Sequence, residues 1–358
     1  MNTVSRWFRR QIANPQVVTL ALALLSVSLA VFFFGGMLAP VIAAVVIAYL
    51  LQGLVARLTR LGMPHLSAVS VVFVSFMAFI LVLVFGLLPP LVRQLTRLVA
   101  QIPAILAKLQ TLLLEVPKKY PDFFSENQIQ EFVSGLGSEV VGLSQTVLSV
   151  SATSFIVLVT IIVYLVLVPL LVFFMIRDSD RIVNWLTDFL PHERQLTSEV
   201  WQEVDVQMGN YVRGKFWEIL IVGSVTWSVF SLLGLQYALL LAVLTGVSVL
   251  IPYVGAAVVT LPVALVALFQ YGVDPHFYYA VGAYLVIQAL DGNLLAPLLF
   301  SEVVDLHPIA IIVAILIFGG LWGFWGVFFA IPLATLIQAV LRAWPGAPAD
   351  RDEHTIEA

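Results

Sequence analysis

Residues Gln288–Gln338 read QALDGNLLAPLLFSEVVDLHPIAIIVAILIFGGLWGFWGVFFAIPLATLIQ. The stretch is almost wholly apolar, yet Gln288, Asp291, Asn293, Glu302, Asp305 and His307 fall within its first twenty residues. Ionisable groups in lipid-length segments are costly, so they face a bundle interior, a water cavity or the interface. Gly319, Gly320, Gly323, Gly326 and Pro332 then interrupt the apolar run. In water this is a poor helix; in a bilayer it permits close packing or a broken, re-entrant segment. Polar residues ahead of a Gly/Pro-interrupted hairpin point to a transport path.

The rest of the chain has the same character. Of 358 residues, 61% are hydrophobic and 11% charged, against roughly 25% charged in soluble domains. The expected fold is an all-α polytopic membrane protein with about eight membrane segments, re-entrant hairpins in its C-terminal half, and an amphipathic helical segment outside the membrane. The lipid bilayer is the first partner. There is no cysteine, which excludes disulfides and thiolate chemistry, and a net charge of −4 calls for no charged macromolecule. The 17 Lys and Arg are dispersed without a basic stripe, so no nucleic acid is expected.

Taken in order, Arg6, Arg9 and Arg10 precede an apolar run from Val17 to Phe34, too long for a usual signal-peptide core. Gly35-Gly36 and Pro40 separate it from Val41–Leu51, which predicts a helical hairpin that starts and ends in the cytoplasm. A span from Leu66 is expected to stop at Pro89-Pro90. Val92, Leu95, Val99, Ile102, Leu106, Leu109, Leu113 and Val116 then alternate spacings of three and four, a heptad seam that Pro103 should kink. Ile129 to Val150 repeats the pattern. The two packing on each other or on the membrane is one reading; a homo-oligomer contact is the other. Phe155–Ile176 is a span, and 191–213 an amphipathic helix that runs into a further span near Phe216. The resulting divisions are 1–90, N-terminal membrane helices; 91–152, the extramembrane segment; 153–176, a span; 177–215, a cytoplasmic helical segment; 216–341, a transport core; and 342–358, a cytoplasmic tail. With both termini inside, the inner segments hold 12 of the 17 Lys and Arg.

In 216–341 the apolar runs shorten. Leu239–Ile251 ends at Pro252-Tyr253-Val254-Gly255, and Ala256–Phe269 follows, either a re-entrant hairpin or a tilted pair. Val254-Gly255 with Leu261-Pro262-Val263-Ala264 resembles Trp325-Gly326 with Ile331-Pro332-Leu333-Ala334, the trace of an internal repeat.

Gln288, Asp291, Asn293, Pro297, Leu306-His307-Pro308, the glycines from 319 to 326 and Ala330-Ile331-Pro332-Leu333 together resemble the C-terminal motif of the bacterial PerM permease family, also called the autoinducer-2 exporter family. The likeness extends to Ile251-Pro252-Tyr253-Val254-Gly255 and Tyr211-Val212-Arg213-Gly214-Lys215, and departs at Phe300-Ser301-Glu302. It implies a permease or exporter of a small molecule or ion in the bacterial cytoplasmic membrane, driven by an ion gradient. Sodium (lithium)/proton antiport is an alternative within the family, and an oligomeric scaffold that transports nothing is one outside it.

Candidate path residues are Gln288, Asp291, Asn293, His307, Gly319, Gly320, Gly323, Gly326, Pro332, Pro252, Tyr253 and Gly255. Asp291 is either a helix cap or a proton-exchanging carboxylate, with Gln288 one turn before it. His307 could titrate near neutral pH and report a gate. Arg213, Lys215 and Glu218 are read as interfacial anchors or as a cytoplasmic recognition group for an anionic or polyol ligand. Glu302, Asp305 and His307 fit no metal spacing, and neither a P-loop nor a hydrolase motif is present. No metal, cofactor or catalytic activity is expected. A reporter fused near Lys118 should report the outer face and one near Glu199 the cytoplasm; finding both on one side would overturn this layout.

Overall fold

The computed structural model describes residues 15–119, 154–188, 195–300 and 307–343. Among these the protein is all α, with six helical stretches long and apolar enough to cross a membrane and three shorter apolar helices. The second heptad run at 129–150, Arg6, Arg9, Arg10, Glu302, Asp305 and the tail beyond 343 lie outside them.

The first departure from expectation comes at the start. Helix α1 runs unbroken from Pro15 to Arg60 with Pro40 inside it, so there is no N-terminal hairpin. Breaking a helix in hydrocarbon would strand several backbone groups, a larger cost than carrying two glycines and one proline. A rod of 46 residues is about 69 Å long, so it does not bring its two ends back to one face. The layout with both ends inside fails for this segment.

Pro89-Pro90 likewise ends nothing. Helix α2 (His65–Val82) passes through a five-residue π turn, Leu83–Leu87, into α3 (Leu88–Lys119). A proline ring collides with the carbonyl four residues back, and the wider π turn, closed by Leu88 N–H on the Leu83 carbonyl, makes room for it. Pro103 does not split α3. Helices α4 (Ser154–Arg177), α5 (Ser179–Asp188) and α6 (Gln195–Leu232) follow, the last carrying the amphipathic segment into a span as expected.

The chain divides into two compact units. The first comprises 1–69, 168–214 and 300–358. In it α1 and α6 are joined by Tyr49 Oη, which donates to Asp205 Oδ1 at 2.6 Å. Its C-terminal part is a helical hairpin, α11 (Pro308–Phe328) and α12 (Ala330–Ala343). Gly319 and Gly320 stay within α11; the helix breaks at Gly323, whose φ of +58° and ψ of −135° suit glycine alone. A side chain at Gly326 would strike the Phe318 carbonyl.

The second unit comprises 70–167 and 215–299. Its core joins the end of α6 to α7 (Ala238–Ser248), α8 (Val254–Tyr271) and α9 (Pro275–Leu290), through Phe230, Leu241, Val263, Ala267, Ala280 and Tyr284, all fully buried or nearly so. Helix α7, at 11 residues, covers only about 16 Å of a core about 30 Å thick. It forms a hairpin with α8, and Gly255 sits against the Ser248 carbonyl just as Gly326 sits against that of Phe318. The sequence likeness between 254–264 and 325–334 is thus matched by the same construction in each unit.

Helix α3 packs in the second unit through a stripe next to the expected seam. Gln94 accepts from Leu240 N–H at 3.0 Å, Gln101 from Tyr237 Oη at 2.7 Å, and Lys108 donates to the Phe269 carbonyl at 2.6 Å. Val99 and Ile105 are buried, while Val92 and Leu95 stay exposed. Polar side chains win the contact because Gln94 and Lys108 satisfy backbone groups at the ends of α7 and α8, and Gln101 satisfies the Tyr237 hydroxyl. Just past that same end of α8, Asp274 caps α9, accepting from His276 N–H at 3.3 Å and His276 Nδ1 at 2.7 Å. The bond to His276 holds the Asp274 carboxyl below its ordinary range, so its stabilisation is fully present above that range and is lost as the pH falls below it, through the lowered value.

Gly255→Ala and Gly326→Ala should each lower stability in mild detergent by about 1–3 kcal/mol, since neither backbone carbonyl can yield. Gly320→Ala, with nothing within 4 Å, should leave the melting temperature unchanged or raise it. Equal melting shifts for all three would remove the carbonyl contacts as the cause.

Candidate functional site

Glycine brings α6 and α7 together. A Cβ on Gly246 would lie 2.9 Å from the Ile219 carbonyl and 3.2 Å from the Gly223 Cα, so the two backbones cross almost in contact. That approach brings the Val249 carbonyl, just past the end of α7, to Lys215 on α6. Lys215 Nζ donates to it at 2.8 Å. The same ammonium lies 2.7 Å from Glu218 Oε2, three residues on, and both side chains are about 95% buried, at 5% and 4% exposed.

Val249, whose carbonyl Lys215 holds, belongs to an apolar cluster with Val222 and Ile287, on which Ile219, Val229 and Leu295 pack. Neither an interfacial anchor nor a surface recognition group is buried this far. Taking two charges out of water is repaid only where geometry is close and other bonds assist, and Lys215 has both.

Asp291 lies within electrostatic reach of both partners. It opens a second π turn, Asp291–Leu295, between α9 and the short α10 (Ala296–Phe300). Such turns insert one extra residue and redirect the side chains around them. Asp291 Oδ1 is buried with no hydrogen-bond partner, and no side chain caps the turn, so the capping role does not describe it. Gln288 turns away from the carboxylate: its Nε2 donates to Tyr284 Oη at 2.9 Å, and Tyr284 Oη donates to the Ala256 carbonyl at 2.7 Å.

The other candidates are not brought to this place. Asn293 is exposed and donates to the Ala289 carbonyl of its own helix at 2.8 Å. His307 is exposed and caps α11, its Nδ1 accepting from Ile309 N–H at 3.3 Å. Pro252 and Tyr253 form the α7–α8 turn, where Tyr253 holds φ +64° and ψ −49°. Gly323 and Gly326 shape the other hairpin, and Pro332 is buried near the start of α12. Arg213 belongs to the first unit, half-buried against Gly53 and Gly209, with Nη2 on Asn210 Oδ1 at 2.8 Å.

Sequence reading assigned no role to Tyr211. It is 1% exposed, and its Oη donates to the Phe328 carbonyl at 2.8 Å in the turn of the α11–α12 hairpin. Tyr211 and Lys215 stand one helical turn apart on α6, and each donates to a carbonyl in a hairpin turn of its own unit. The i, i+4 spacing was visible; the carbonyl acceptors were not.

The AI-2E family transporter profile matches residues 4–346. PerM of Escherichia coli (strain K12), provisionally named a permease, is 46% identical over 345 residues, covering 96% of this chain and 98% of that protein. YrrI of Bacillus subtilis (strain 168), provisionally named a transport protein, is 27% identical over 312 residues, covering 84% and 85% of the two chains.

Lys215→Met should destabilise the protein by about 3–5 kcal/mol, because it strands the Glu218 carboxylate in an apolar place. Adding Glu218→Leu should recover much of that loss. Thermal unfolding of both variants in detergent checks it; a double variant no better than the single would show that the two charges do not compensate each other.

Proposed function

The chain belongs to the AI-2E transporter family, a family of transport proteins and not an enzyme class, and on that footing we propose a secondary permease of the bacterial cytoplasmic membrane. It moves a small molecule or ion with an ion gradient as the driving force. The transport core is 216–341, and the C-terminal tail and the 177–215 segment lie on the cytoplasmic side. The observation that carries this reading is Asp291, an ionisable side chain in an apolar span with a buried, unpartnered oxygen. Such a group in lipid serves a substrate or ion path. Gln288 and the strained turn at Tyr253 stand with it on the path within the second unit. Assembly into a homo-oligomer through 92–150 accords with the exposed Val92 and Leu95.

Asp291→Asn keeps the shape of the side chain and removes only its charge. It should fold normally and abolish coupled flux, followed as a pH-dye response of inverted vesicles to NaCl or to a total metabolite extract. Gly323→Leu should block flux at every pH, because a leucine cannot hold φ +58°. Cysteine at 291 should react with a small charged thiol reagent. Unchanged flux in Asp291→Asn together with no labelling at 291 would leave Asp291 outside the path.

A further inference from the structure

No residue of α5 (Ser179–Asp188) is buried, although this ten-residue helix carries four large apolar side chains. Ile182, Val183, Trp185 and Leu186 are all exposed, Trp185 by 60% and Leu186 by 50%. At 3.6 residues per turn the four cover an arc of about 160°. Asp180, Asn184, Thr187 and Asp188 fill the opposite arc. A helix sorted this way, with no protein core beneath it, presents its apolar face to another surface.

Three observations identify that surface. The first is continuity with the span before it. Helix α4, at 24 residues, is about 36 Å long, enough to cross a hydrocarbon core about 30 Å thick. Its side chains Leu170 and Phe174, one turn apart, stay exposed into its last turn, where lipid meets them. The helix stops at Arg177, and α5 starts two residues later, beyond Asp178. The break thus falls at the edge of the hydrocarbon, and α5 begins in the headgroup layer.

The second observation is where the charges fall. Arg177 and Arg181 flank the break, each reaching Asp178, at 4.0 Å and 3.8 Å. Arg181 lies one turn before Trp185, at the rim of the apolar arc, while Asp180 and Asp188 point the other way. Guanidinium groups at the rim can reach lipid phosphates, and carboxylates on the far side avoid them. The third is Trp185 itself. An indole has an apolar body and one N–H, and the boundary between headgroups and acyl chains suits both.

We propose that α5 lies in the surface of the chain's own bilayer, with Ile182, Trp185 and Leu186 at the boundary between headgroups and acyl chains and Arg177 and Arg181 at the lipid phosphates. The helix tethers the Arg177 end of α4 to the plane of the membrane. This does not depend on what the protein moves. A second copy of the chain is the rival occupant of the same face.

The test uses the full-length chain in proteoliposomes; it has no native cysteine. Asp180→Cys, Ile182→Cys, Asn184→Cys and Leu186→Cys, one at a time, carry a nitroxide label, all at exposed positions. Collision of each label with oxygen, which concentrates in lipid, is compared with collision with a water-soluble nickel chelate. The logarithm of the oxygen-to-nickel ratio should be positive at 182 and 186 and negative at 180 and 184. With Trp185→Glu and Leu186→Glu in place, the label at 182 should reverse sign; if that variant fails to fold, the four-label pattern decides alone. Negative values at 182 and 186 would put the face in water. Labels there screened from both reagents would put it against protein, a second copy or another segment. Either result overturns the proposal, as does a label at 182 that stays positive beside the two glutamates.

Discussion

A lysine and a glutamate lie 2.7 Å apart inside an apolar bundle, each about 95% out of solvent. The second unit is arranged around that pair. Gly223 and Gly246 let α6 and α7 cross closely enough for Lys215 to reach a backbone carbonyl as well as its partner. The π turn at Asp291–Leu295 sets a second carboxylate within electrostatic reach. Without the glycine crossing the ammonium would lose the carbonyl bond that helps repay its desolvation, and without the ammonium the buried Glu218 carboxylate would lose its ion-pair partner.

The same construction occurs twice. Each unit carries a helical hairpin whose turn contains a positive φ, at Tyr253 or Gly323, and a glycine pressed on a carbonyl, at Gly255 or Gly326. Each hairpin also gives up one carbonyl to a buried donor on α6, that of Val249 to Lys215 and that of Phe328 to Tyr211. The donors differ: a neutral hydroxyl serves one hairpin, and an ammonium paired with a carboxylate serves the other.

Much of this was legible in the sequence. Composition gave the membrane class, hydrophobic run lengths gave the short C-terminal helices, and the Gly/Pro pattern gave both hairpins and their likeness. The misreadings share one cause. Gly35-Gly36, Pro40 and Pro89-Pro90 read as breakers, as they are in water, but inside lipid an interrupted helix exposes backbone and the chain bends or widens instead. On α3 the packed face shares Val99 with the apolar seam, but an apolar pattern cannot show that Gln94, Gln101 and Lys108 have partners waiting in the Leu240 N–H, the Tyr237 hydroxyl and the Phe269 carbonyl. For the site, Asp291 stood out as a charge in an apolar run. Its link to Lys215 and Glu218, more than seventy residues earlier, depends on a tertiary crossing that no local pattern records.

The central claim is that Lys215 is shared between Glu218 and the turn carbonyl of Val249. The most direct measurement is a density map of the protein in lipid nanodiscs, sharp enough to place side chains. The Lys215 ammonium should lie within hydrogen-bond distance of both the Glu218 carboxylate and the Val249 carbonyl, with Asp291 facing the pair. A Lys215 side chain extended to the lipid headgroups or to bulk water, with Glu218 elsewhere, would contradict the account.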